Sequence, residues 1–145
     1  MYHRDYLIRM IQQFIVFLAE MAGLRKKNDP DVLLMKLESA YLQFTGMSMD
    51  ALHSLTADGI VTVFSASGEA DYNRILVTAF LFKEEADVLR SIKDHKSAEY
   101  LYKKSLQLFT LLEGKETFLL SELRNHLSEK DSILKILTQY KNQIY

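Results

Sequence analysis

The chain has no cysteine and no tryptophan, a single proline (Pro30) and only five glycines in 145 residues. The absence of cysteine excludes disulfides, thiolate metal sites and a cysteine nucleophile. It suits a cytosolic protein, which is the expected setting. With so few helix breakers, regular structure can run long between interruptions. Uninterrupted apolar runs are also missing. The most apolar stretch, near the N-terminus, is broken by Arg9, Gln12, Gln13 and Glu20, so neither a signal peptide nor an integral membrane segment is expected.

The composition that remains is that of one folded domain over 1–145. Apolar residues make up 48% of the chain, too many for a disordered one. The net charge of −1 hides an acidic middle, where residues 28–85 carry three Lys/Arg against nine Asp/Glu. A broad nucleic-acid footprint needs the opposite, so no nucleic-acid partner is expected.

Apolar spacing predicts an all-α protein of about seven or eight helices joined by short connections. The first helix spans about Asp5 to Ala22, with Gly23 as its C-terminal glycine and Arg25, Lys26 and Lys27 complementing the helix dipole. Asp29-Pro30 is a start signal for a second helix ending at Gly46. Ser48 and Thr56 read as caps of two short helices. The β-branched run Ile60–Phe64 fits helix better than strand, because no second strand is there to pair with it. A long helix over about 70–92 turns at Lys93-Asp94-His95-Lys96 into another over 97–112. Its predicted inner face includes Ile75, Leu76, Phe80, Leu89 and Ile92. Two more helices follow, over about 116–127 and after Ser128.

The most informative stretch is Phe82 to Phe109, within a hairpin over 79–112. Small residues Ala86 and Ala98 let two helices approach closely, and Tyr102 fills the space beside them. Phe82, Ala86, Leu89, Ala98, Tyr102 and Ser105 resemble one unit of the tetratricopeptide family. Departures are Glu85 beside the first small residue, Ser105 at the third small position and Thr110 at the closing proline. A copy shifted to Leu120, Leu123 and Ser132 matches poorly. The resemblance implies a helical hairpin that binds protein, with Asn73, Arg74, Lys83 and Asp87 as its partner surface. The whole chain also resembles a family of bacterial (Firmicutes) proteins of unknown function. It does so through Arg4-Asp5-Tyr6-Leu7-Ile8-Arg9-Met10-Ile11, through Leu55-Thr56 and through the 79–112 hairpin. That resemblance implies a helical fold in a bacterial cytosol.

Chemistry-bearing patterns are sparse. His3, His53, His95 and His126 are scattered, with no metal-binding spacing. No phosphate loop, dinucleotide fingerprint or nucleophile elbow occurs. Neither catalytic residues, nor a metal, nor a cofactor are expected. Glu84 and Asp87 share a helix face that could hold a cation, but a solvated outer face is the simpler reading. Lys96, Lys103 and Lys104 interleave with Tyr100 and Tyr102, a weak match to single-strand binders.

The first helix has an apolar face too wide for one neighbour. It can be buried internally, shared with a second copy, or laid on a membrane. The membrane reading is the poorest, since residues 5–22 carry only Arg9 against Asp5 and Glu20. A homodimer seam would be anchored by Tyr6, Met10, Phe14, Phe17 and Met21. The expected function is therefore non-enzymatic protein binding with self-association. The alternative is a small-ligand binder or enzyme with an apolar pocket between helices.

Overall fold

The computed structural model describes residues 2–122, apart from 28, 69, 116 and 120. These form six α-helices and, among the described residues, no strand: α1 Tyr2–Arg25, α2 Pro30–Thr45, α3 Met49–Ser54, α4 Ala57–Val63, α5 Tyr72–Ser91 and α6 His95–Leu111. Residues 118, 119, 121 and 122 are also helical, where a seventh helix was expected. The predicted last helix, with Ser128, and His126 lie outside the described residues.

Side-chain caps start five of the helices. Asp29, Ser48 and Thr56 accept from the amides of Val32, Ala51 and Gly59, as their sequence positions suggest. Asp71 and Asp94 do the same for α5 and α6 through Arg74 and Ser97. Asp94 corrects the predicted turn, since it brings His95 and Lys96 into the helix. The tight connection is instead made by Lys93 in the left-handed region at φ 67°, with the Asp94 amide reaching back to Leu89. Gly46 has the left-handed conformation expected of a helix end, at φ 78°. Gly23 does not end its helix: α1 continues through it to Arg25, whose side chain is held by α5.

α5 is the central helix. From Ile75 to Phe82 every side chain is buried, and α6 and α2 provide its largest contacts. Ile92, predicted to face inward, lies past the last turn and is 45% exposed. The hairpin residues Ala86, Ala98 and Tyr102 are all buried, and Ser105 Oγ donates to the Ala79 carbonyl at 2.7 Å. α1 packs on α2, where Phe14 meets Phe44 edge-on and Phe17 lies beside both rings. Over Asp5–Arg25, α1 is long and apolar enough to cross a membrane by length and composition, because its apolar residues outweigh the polar interruptions on average.

Candidate functional site

One turn of α5, from Glu84 to Asp87, addresses four other helices. Glu84 meets Arg25 of α1. Glu85 Oε1 accepts from the Tyr41 hydroxyl of α2 at 2.6 Å and lies 2.8 Å from Nε2 of His53 in α3. Asp87 is bound by the second guanidinium nitrogen of Arg25 at 3.0 Å, by Lys83 at 3.1 Å, and by the Tyr102 hydroxyl of α6. The face read as solvated is thus largely interior, with Glu84 nearly sealed from solvent and the Asp87 side chain 12% exposed; Glu85 beside them is buried too. The cation shared by Glu84 and Asp87 comes from the chain itself, as Arg25.

Burial governs the electrostatics. It raises the Glu84 carboxyl above its usual range, and the nearby Arg25 and Lys83 only partly offset that. Burial also raises the Tyr41 hydroxyl well above its usual value, helped by the charge and hydrogen bond of Glu85. Tyr102 is raised by burial first, then by Asp87. A raised value means the folded state keeps the proton. The stability these two hydroxyls contribute is therefore complete below about pH 10, the ordinary tyrosine value, and lost as pH rises further. Melting temperature is expected to fall steeply above that pH. Tyr41→Phe should flatten the fall, and parallel curves for wild type and variant would refute the assignment.

Beside this turn lies an open cleft of about 520 Å³ between α3, α5 and α6, lined by His53, Glu85, Leu89, Lys96, Ser97, Tyr100 and Leu101. Lys104 supports its wall. Its ammonium is bound to the His53 carbonyl at 2.6 Å and sits 4.5 Å from the centre of the Tyr100 ring. The Tyr100 hydroxyl donates to the same carbonyl. Lys104 thus caps the C-terminal end of α3. Lys103 pairs with Glu99 on the exposed face of α6, and of the basic-aromatic pattern of this segment only Tyr102 and Lys104 are buried. A second cleft of about 480 Å³, between α4 and α6, has no buried charged residue in its lining.

The sequence-derived sites redistribute. Of the five helix-one anchors, Met10, Phe14 and Met21 lie in the chain's own core, Phe17 is half-buried, and only Tyr6 is exposed. Three of the five are therefore unavailable to a second copy, because α2 and its neighbours already cover that stripe. The proposed hairpin surface is also engaged internally. Asn73 accepts the Leu119 amide, Arg74 lies over the Phe64 ring, and Lys83 and Asp87 pair with each other. Asn73, Arg74 and Asp87 reach neighbouring segments because α5 is central rather than lining an open concave side, and Lys83 is held to Asp87 along the same helix. The His53–Glu85–Tyr41 cluster and the cleft were missed. Their members are 32 and 44 residues apart, and no local spacing brings them to notice.

Among the described residues, no group of three His, Cys, Asp or Glu side chains is placed to hold a metal. Comparison with protein-family models, with curated proteins and with solved structures finds no match to this chain.

Proposed function

We propose that this chain is a non-enzymatic protein-binding module that self-associates through the outer face of α2, with the adjoining α1 adding apolar area. The carrying observation is a line of exposed apolar side chains on α2. Val32, Met35 and Leu42 are 36%, 70% and 55% exposed, and with Ser39 they repeat at intervals of three, four and three. That is the spacing of a coiled-coil seam, in which two such helices bury each other's stripe. Beside it, Asp31 and Lys36 occupy flanking positions of opposite sign. In a parallel pair, Asp31 of one copy reaches Lys36 of the other, so the surface complements itself. Tyr6 and Val16 of α1 are exposed as well, at 59% and 56%. The close α5–α6 contact over small residues supports reading that pair as a tetratricopeptide-like hairpin, here used as the scaffold that presents α2.

Light scattering across a roughly tenfold dilution tests the proposal, since a dimer's mass depends on concentration only near its dissociation constant. The expected mass is twice 16.8 kDa for the full chain, falling to 16.8 kDa for Met35→Glu. A wild type that stays at 16.8 kDa at every concentration, or a Met35→Glu variant that remains dimeric, overturns it. The cleft beside Glu85 favours ligand binding as a second activity.

A further inference from the structure

The three carboxylates on the central turn of α5 are not equivalent. Glu84 has a permanent cation in Arg25, and Asp87 has two, in Arg25 and Lys83. Glu85 has none: its partners are the Tyr41 hydroxyl and the His53 ring, and both act on Oε1. Among the described residues no donor reaches Oε2. Yet Oε2 is not a sealed, unpartnered atom, so it retains some exposure, and Glu85 is one of the residues that line the cleft. The residue as a whole is only 4% exposed. A carboxylate held out of bulk water is stabilised by a paired cation, and at Glu85 the position for that cation opens onto a cleft.

We infer that the cleft is a binding site for an organic cation, a primary ammonium or guanidinium on a short apolar stem, whose charged head pairs with Glu85. The stem lies along Leu89 and Leu101, with the Tyr100 ring forming one side. Lys104 holds Tyr100 in place from beneath and is itself fixed to the end of α3, so this wall is preformed. Tyr41 and His53 fix the carboxylate, so the head group meets an acceptor already oriented. Lys96, also in the lining, is exposed to solvent. The same chemistry occurs in free alkylamines and in lysine or arginine side chains of a partner protein.

Calorimetric titration of the full chain with n-butylamine, n-propylguanidine and the blocked tripeptide acetyl-Gly-Lys-Gly-amide tests the assignment. Saturable binding of at least one probe is expected. Glu85→Gln should weaken it about tenfold or more, the usual scale for a hydrogen bond to a charged group. Glu99→Gln, an exposed acid outside the cleft, should leave it unchanged. Binding of the free amine alone identifies a small-molecule site, whereas equal or tighter binding of the tripeptide identifies a protein side chain as the ligand. No saturable binding by any probe, or undiminished binding by a folded Glu85→Gln, overturns the inference. If Glu85→Gln does not fold, Ser97→Trp fills the cleft without touching Glu85, and retained binding in that variant is equally fatal.

Discussion

Arg25→Met is expected to lower the unfolding free energy by about 2–4 kcal/mol. Removing one partner of a buried ion pair typically costs about 3–5 kcal/mol, because the other charge is left uncompensated. The Arg25 side chain is 33% exposed, so solvent screening places the expected loss about 1 kcal/mol below that range. Glu84 is the residue that suffers, being nearly sealed from solvent, while Asp87 keeps Lys83 and Tyr102. The pH dependence has a definite sign. Burial already raises the Glu84 carboxyl, and loss of Arg25 raises it further. A group that holds its proton more tightly when folded adds stability as pH falls. The deficit measured in urea at pH 7 should therefore shrink at pH 5. Arg25→Met combined with Glu84→Gln should recover most of the loss at neutral pH. A deficit that is independent of pH and unaffected by the second change would assign the effect to packing of α1 alone.

Phe82→Ala is expected to cost about 3–5 kcal/mol, the usual range for emptying a buried aromatic site. Phe82 is fully buried, with its ring centre 6.0 Å from that of Tyr41 and 6.2 Å from that of His53, and with the Lys104 ammonium 5.4 Å away. It packs beneath the two groups that hold Glu85 as well as the lysine that supports the cleft wall. A double-mutant cycle with Tyr41→Leu, which removes the ring that contacts Phe82, should show coupling of about 0.5–1.5 kcal/mol, as for other contacting aromatic residues. Ile92→Ala makes the contrast. It changes an apolar residue of the same hairpin that is 45% exposed, and its effect should stay within about 0.5 kcal/mol. Comparable losses for both variants would contradict the burial pattern.

Much of the fold is legible in the chain because its signals are local. Asp29, Ser48 and Thr56 announce helix starts within three residues of the amides they accept. Ala86, Ala98 and Tyr102 fall at hairpin spacing and are buried. What the sequence does not display is which element covers a given face. Periodicity marks Met10, Phe14 and Met21 as one stripe but is silent on whether α2 or a second copy lies against it. Arg25 reads as a cation complementing a helix dipole, because the carboxylates it binds are 59 and 62 residues away. Glu84 and Asp87 read as a solvated face because charged residues usually are exposed. Only the assembled bundle turns them inward. The exposed apolar stripe of α2 is hidden in the sequence for a related reason: Val32, Met35 and Leu42 alternate with the core stripe Leu33, Leu37 and Tyr41, and only exposure separates the two sets.

The central turn of α5 also bears on cooperativity. Within four residues it engages α1 through Arg25, α2 through Tyr41, α3 through His53 and α6 through Tyr102. A slip of α1 along α5 takes Arg25 from Glu84, and a slip of α5 itself strands Glu84 and Glu85 together, since only Asp87 carries a cation on its own helix. Partly assembled bundles are thereby penalised together, which removes stable halfway states and ties the helices into one all-or-none transition.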